Sequence, residues 1–493
     1  MGYVNTPSPD SAAHPGSGRP ATAGAPGPSP DSGSATARGR IPLGSVVVVA
    51  LMLFAMFFGA GNLIFPPQLG VEAGDSYAPA MAGFLSTAVV LPALAVIAVA
   101  VSGNGIVDIA SRAGKVFGLV FSIAVYLSIG ALYAIPRTAN VAFETGVAAL
   151  ADTTSPWALL AFTVLFFAVT LWLSLRPGGI VDSLGRWLTP ALLLLIVALV
   201  IVGAFRLTGS PGEPTDKWAD APYTTGFLEG YLTMDSLAAL VFAIVVIDSL
   251  RSRGVRRQGS ITVSAISAGA IAALLLGVVY LGLGHLGQII GGDYDNGARL
   301  LSDAATMSFG PAGAWLFTGI VLLACLTTAV GLITSTAAFF ATLVPRIGFR
   351  GWAVLFTLAG LLMSNLGLDA IISLAIPLNV FLYPMAVALV FITLLQAVLP
   401  FRLRWAYRIP VAVAAVFALI DLLRALDIEP SEGLPWLTRL PLYEQSLSWV
   451  VPTLIAVIIC AIVDARAGDP APKAGEHSAK LGENAEREES ATR

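Results

Sequence analysis

Between residues 43 and 465 the chain alternates long apolar runs with short polar turns. A helix rises 1.5 Å per residue, so roughly 20 apolar residues cross a hydrocarbon slab of about 30 Å. The pattern predicts twelve such helices, at 45–68, 79–101, 117–136, 157–175, 187–206, 226–249, 261–285, 313–343, 352–366, 369–399, 408–424 and 446–464. An all-α polytopic membrane fold follows. The flanks read differently. Residues 1–42 are almost entirely Pro, Gly, Ser, Ala and Thr, and residues 466–493 are charged and rich in small side chains, so both are expected to be disordered tails around a membrane domain at 43–465.

Two of the runs are interrupted. The first contains Phe57-Phe-Gly-Ala-Gly-Asn-Leu-Ile-Phe-Pro-Pro67, and the sixth opens with Gly226-Phe-Leu-Glu-Gly-Tyr-Leu-Thr-Met-Asp235. Within hydrocarbon no water satisfies freed backbone groups, so an opened turn persists only where it faces protein or a polar cavity. An aspartate near the bilayer centre costs about 2.5 to 3.5 kcal/mol on insertion scales, so Asp235 needs a partner inside the bundle. One break alone is compatible with a simple kink, since Gly and Pro are common in membrane helices. Two breaks five spans apart instead predict two five-helix units of opposite orientation, about 43–207 and about 224–399, with helices 11 and 12 following at about 407–465.

Composition agrees with this class. Hydrophobic residues make up 56% and charged residues 12%, with mean hydropathy +0.83, against about 25% charged in soluble domains. Cys325 and Cys460 both lie in apolar runs and read as buried small hydrophobes, so neither a disulfide nor a transition-metal site is expected. No nucleophile, acid–base pair or metal cluster shares a depth, which argues against an enzyme and against a cofactor. No nucleic-acid partner is expected, and protein partners stay unassigned.

Charge placement tests the span count. With a cytoplasmic N-terminus the inner loops carry 13 basic residues, among them Arg251, Arg253, Arg256 and Arg257, and the outer loops carry 6. That bias predicts a cell-membrane protein with both termini cytoplasmic.

Candidate chemistry collects at the breaks. Opened backbone at Gly59, Ala60, Gly61 and Asn62 presents N–H groups at the start of a half-helix, where the dipole favours a carboxylate. Carbonyls around Tyr231, Leu232 and Thr233 are free to accept an ammonium group or a cation, with Asp235 beside them and Tyr133 of the third span as a lining candidate. Phe58 and Leu332 are candidates for the apolar wall. Arg137, Asn140 and Glu144 are spaced for an outer gate with Glu229 or for an interfacial salt bridge, and Asp421 and Arg424 for a mutual pair. In the eighth span, Thr327 and Thr328 follow Ala324 at i+3 and i+4, so their hydroxyls share a face with its carbonyl. Oxygen sets of this kind suit a hard cation, although such hydroxyls also bond back to their own helix.

The string from Phe54 to Gly70, with Tyr133-Ala-Ile-Pro-Arg-Thr-Ala-Asn140 and Gly226 to Asp235, closely resembles the bacterial branched-chain amino acid carriers of the transport system II, or LIVCS, family. With the twelve-span plan, the resemblance covers roughly residues 43–465. It implies a LeuT-type fold with discontinuous first and sixth helices, and secondary uptake of Leu, Ile and Val coupled to Na⁺, with H⁺ as the other candidate ion. In that fold a sodium site lies between the first and eighth spans. Aligning on Asn62 carries it to the carbonyls of Ala55 and Phe58, with Ala324, Thr327 and Thr328 opposite. The alternative is a transporter of the same fold for a different small neutral amino acid. The long Pro-rich N-terminal tail departs from the compact family pattern.

Overall fold

The computed structural model describes residues 43–103, 105–151, 153, 155–176, 181–231, 233–255, 258–292, 294, 297–426, 428–443, 445 and 447–470. The expected tail at 1–42, residues 471–493 of the other, and Leu232 lie outside the described residues.

Among the described residues every regular element is a helix, apart from one isolated bridge between Phe401 and Pro470. Helix α1 (Leu43–Phe57) ends at the first glycine, the backbone turns extended at Gly59, and α2 (Ala60–Ala73) begins beyond it. The second span is α3 (Tyr77–Leu85) and α4 (Leu91–Ser102), joined by the π-turn Ser86–Val90. The third is α5 (Lys115–Leu127) and α6 (Ala134–Val141), separated by Ser128–Leu132, where Gly130 leaves helical geometry. Helices α7 (Pro156–Ser174) and α8 (Thr189–Arg206) follow. The sixth span is again two pieces, α9 (Pro222–Tyr231) and α10 (Asp235–Ser252), bent by 44° about a left-handed Met234. Helices α11 (Gln258–Ile290), α12 (Gly297–Phe309), α13 (Pro311–Leu343), α14 (Gly348–Ser364), α15 (Leu368–Val398), α16 (Trp405–Ala425) and α17 (Val450–Ala467) complete the chain.

Among the described residues, nine helices are long and apolar enough to cross a membrane, and ten if α9 and α10 count as one span. Two more apolar helices are shorter, α1 because it stops at the break and α14 because it has only 17 residues. Length alone therefore stops short of the expected twelve. Large apolar side chains on the outside of the bundle, such as Phe205 at 83% exposure and Trp157 at 78%, fit a surface solvated by lipid.

Small residues fix how the broken spans pack. A Cβ on Gly70 of α2 would lie 2.0 Å from the carbonyl oxygen of Gly284 on α11. One on Gly226 of α9 would lie 1.9 Å from that of Ala80 on α3. Each broken span thus packs backbone to backbone on the helix after the other break, a close approach that only glycine permits. At the far end of the bundle, buried Asp464 of α17 accepts the backbone N–H groups of Arg404, Trp405 and Ala406 at 2.8, 3.2 and 3.1 Å. It satisfies the otherwise orphaned donors at the start of α16.

The expected Asp421–Arg424 pair does not form. Arg424, in the last turn of α16, reaches outward to donate to the Tyr443 carbonyl at 2.7 Å and lies 3.6 Å from Glu429. Both carboxylate oxygens of Asp421 lack a hydrogen-bond partner among the described residues.

Candidate functional site

The two breaks meet. A cavity of about 70 Å³ lies between the starts of α2 and α10, lined by Gly59, Gly61 and Asn62 from one break and by Thr233, Met234 and Asp235 from the other. Tyr133, Ala134, Arg137 and Thr138 of the third span close one side, and Thr328 and Leu332 of α13 close another. Two helix N-termini therefore converge on one small space, each with unpaired N–H groups in its first turn. In α2 the ladder starts only with Leu63 N–H donating to the Gly59 carbonyl, and in α10 with Ala238 N–H donating to that of Met234.

Asp235 finds the partner that burial demands. Asn62 Nδ2 donates to Asp235 Oδ2 at 2.5 Å and also to the Tyr280 hydroxyl of α11. A carboxylate at the first position of α10 is further favoured by that helix's dipole. Tyr280 is fully buried beneath Phe58 and Phe84, and sequence reasoning missed it because a tyrosine in an apolar run carries no signal of its own.

Arg137 brings the opposite charge. Its Nη1 donates to the Tyr133 hydroxyl and its guanidinium lies 5.2 Å from that ring's centroid. A Cβ on Gly61 would stand 3.4 Å from Arg137 Nη2, so the guanidinium reaches the α2 terminus. The residue expected at an outer gate thus lines the cavity itself. Asn140 is buried, with neither amide atom hydrogen-bonded among the described residues.

The remaining walls are apolar: Phe57, Ile129, Phe242 and Leu332, with Met56, Met234 and Ala238. Two candidates point elsewhere. Phe58 stacks on Phe54 with centroids 5.4 Å apart, and Tyr231 packs on Tyr383 of α15 at 3.8 Å, outside the cavity lining. Of Ala60 only the backbone is described, at the start of α2.

Beside the break in the first span, Thr328 Oγ1 donates toward the carbonyls of Ala55 and Met56 at 3.4 and 3.2 Å. These are last-turn carbonyls of α1, which the helix itself leaves unpaired. Thr328 sits so close that a Cβ on Gly59 would meet its hydroxyl at 3.0 Å. Thr327 is fully buried and its hydroxyl turns back onto the Ala324 carbonyl at 3.0 Å. The structure therefore brings Ala55 and Thr328 together and keeps Thr327 and Ala324 paired on their own helix. Ser335 likewise bonds to Gly331, while the Thr334 and Thr336 hydroxyls lack hydrogen-bond partners among the described residues.

A strap ties α2 to α9. The loop between α8 and α9 places Lys217 Nζ at 2.6 Å from Glu229 Oε1 and 3.6 Å from Glu72 Oε2. Trp218 Nε1 donates to Glu72 at 2.8 Å, and Thr215 N–H donates to the Glu72 carbonyl at 2.9 Å. Glu229, a candidate partner of Arg137 in an outer gate, is held by this loop in an ion pair with Lys217. Burial works against the charged form of Lys217, but Glu229 and Glu72 outweigh it and hold the ammonium above its ordinary value.

Residues 43–467 match the model of the family described as branched-chain amino acid transport protein. The chain is 48% identical over 420 residues to a branched-chain amino acid permease, BrnQ, of Corynebacterium glutamicum, spanning 85% of this chain and 95% of the relative. It is 41% identical over 435 residues to the branched-chain amino acid transport system 2 carrier protein of Pseudomonas aeruginosa, spanning 86% and 97%. These relatives are named as permeases and carriers, not as enzymes. Among solved structures the fold is similar to that of Mhp1, a nucleobase-cation-symport-1 family transporter, with TM-score 0.52 and 16% identity over 84% of this chain and 91% of that one. A manganese transporter of Eremococcus coleocola is equally similar in fold, with TM-score 0.52 and 14% identity over 88% and 98%. With sequence and structure in agreement, the chain belongs to the branched-chain amino acid transport protein family and is a multi-pass membrane protein.

Proposed function

We propose that this protein carries leucine, isoleucine and valine into the cell by alternating access, coupled to Na⁺, with both termini on the cytoplasmic side. The observation that carries the reading is the cavity at the two breaks, which offers one recognition element for each part of such a substrate. The N–H groups of Gly59 to Asn62, with Arg137 beside them, suit a carboxylate. Asp235 and the backbone around Thr233 suit an ammonium group. Phe57, Ile129, Phe242 and Leu332 suit an aliphatic side chain. One methylene in an apolar pocket discriminates by only about 1 to 3 kcal/mol, so the three branched substrates compete for one site.

The coupling cation is assigned to the carbonyls of Ala55 and Phe58 with Thr328, which spans from α13 to the end of α1. Thr327 and the Ala324 carbonyl complete the set once the Thr327 hydroxyl releases its own helix. A cation there joins the broken span to α13, so its binding and release are coupled to how those helices stand. Tyr231 belongs to the substrate break through its backbone carbonyl.

A zwitterion adds no net charge, so symport with one Na⁺ moves one positive charge inward, worth about 2.3 kcal/mol per 100 mV. A tenfold Na⁺ gradient adds about 1.4 kcal/mol. Together, about 3.7 kcal/mol sustains accumulation on the order of 500-fold. Counterflow of labelled leucine in proteoliposomes, against an amino acid panel and with Na⁺ replaced by choline at two pH values, tests substrate and ion together. Uptake that ignores both the cation and the membrane potential would overturn the coupling. Counterflow driven by another neutral amino acid but not by leucine would overturn the substrate.

A further inference from the structure

A second, larger cavity of about 740 Å³ lies apart from the site, between the second span, α9, α15 and α17. It follows α15 from Val387 to Val398, about 16 Å at 1.5 Å per residue, so it is an elongated groove rather than a chamber. Its rim is apolar and faces outward. Phe391, Val398 and Leu454 are 51%, 83% and 56% exposed on helices that cross the membrane, so the groove opens sideways to hydrocarbon.

The inner wall is different. Trp449 and Thr453 both line the groove and are 6% and 4% exposed, yet Trp449 Nε1 and Thr453 Oγ1 have no hydrogen-bond partner among the described residues. The indole N–H faces the Tyr231 hydroxyl without completing a bond to it. An unpaired donor facing hydrocarbon is costly. The missing partner must bring its own acceptor and an apolar chain long enough for the groove.

We infer that this groove binds one acyl chain of a membrane phospholipid, with the ester carbonyl accepting from Trp449 Nε1 and Thr453 Oγ1. A protein segment would find little to pair with on an apolar rim, whereas a diacyl lipid supplies acceptor and chain in one molecule and is the solvent of this face. Tyr231 lines the groove and is the last residue of α9, so the bound chain lies directly against the second break.

The test uses the full chain in nanodiscs doped with a phosphatidylglycerol that carries a diazirine in one acyl chain. After irradiation, digestion and mass spectrometry, label is expected on peptides containing residues 387–398 and 449–457, well above that on other lipid-facing surfaces such as those of Trp172 and Phe205. Filling the groove with Ala388→Trp should abolish the excess. Trp449→Phe, which keeps the ring and removes the donor, should lower it several-fold, and an ether-linked probe should show the same loss on the unaltered protein. Should Ala388→Trp fail to give monodisperse protein, the Trp449→Phe and ether-lipid arms decide. Label spread evenly over the lipid-facing helices, or excess label indifferent to both the indole donor and the ester, would overturn the inference.

Discussion

Asn62 donates its side-chain amide to the Asp235 carboxylate at 2.5 Å, and so ties the first turn of α2 to the first residue of α10. The two residues stand 173 positions apart, and each sits just past a break. The contact makes the two broken spans a single unit around the cavity, and it supplies the partner that a buried aspartate requires.

Removing that amide should disable transport more than fold. Asn62→Ala leaves the Asp235 carboxylate with one charged hydrogen bond fewer, worth about 1.5 to 3 kcal/mol, so leucine uptake should fall about tenfold or more in kcat/KM. Asn62→Asp should be worse, because it places a second carboxylate against the first. Initial rates in proteoliposomes, normalised to folded protein by size-exclusion chromatography, check both; wild-type rates in Asn62→Ala would sink the role given to this contact.

Thr328→Ala should weaken coupling while sparing substrate recognition. Losing one hydroxyl interaction of about 1 kcal/mol predicts an Na⁺ half-saturation about fivefold higher, with leucine KM unchanged at saturating Na⁺. Gly59→Ala should act in the same direction, since its Cβ meets the Thr328 hydroxyl at 3.0 Å. An unchanged Na⁺ dependence in Thr328→Ala removes the cation assignment.

Arg137→Gln addresses the carboxylate end. Loss of a charge-assisted contact of about 1.5 to 3 kcal/mol should raise the leucine KM about tenfold or more. The same change should shrink the preference for leucine over leucinamide, which lacks the negative charge. A preference that stays intact in competition assays leaves the α2 terminus alone as the anchor.

The Lys217 strap sets a pH dependence with a definite sign. The folded-state pKa is raised above 10.5, so the stabilisation is fully present below that value and is lost as pH rises through the higher folded value. Thermal unfolding in detergent should therefore show the difference between wild type and Lys217→Gln constant from pH 7 to 9 and shrinking at more alkaline pH. A difference that grows with alkalinity contradicts the pairing with Glu229 and Glu72.

Gly226→Ala should destabilise strongly although it adds only a methyl group. That carbon would stand 1.9 Å from the Ala80 carbonyl oxygen, so α9 must move off α3, an overpacking cost of about 1 to 3 kcal/mol or more. Gly254→Ala is a useful contrast: nothing lies within 4 Å of its Cβ and its positive φ alone resists substitution. A melting temperature for Gly226→Ala at or above that of Gly254→Ala would show that α9 and α3 do not pack this closely.

Much of this protein was readable along the chain because the bilayer imposes a one-dimensional rule. Hydrocarbon demands about 20 apolar residues per crossing and punishes free backbone groups, so the spans, the breaks at Gly59 to Asn62 and Tyr231 to Asp235, and the need of Asp235 for a partner were legible from residue order alone. Which partner answers that need is a matter of helix packing, and no local pattern encodes it. Folding chose Asn62 with Tyr280 for Asp235, sent Glu229 to Lys217 rather than to Arg137, and turned Arg137 into the cavity. It also turned the Tyr231 ring away to Tyr383 and left Asp421 without Arg424. Helical periodicity places a side chain on a face, but the neighbour that face meets depends on glycine-set approach distances between helices far apart in sequence, as at Gly70 on Gly284 and Gly226 on Ala80.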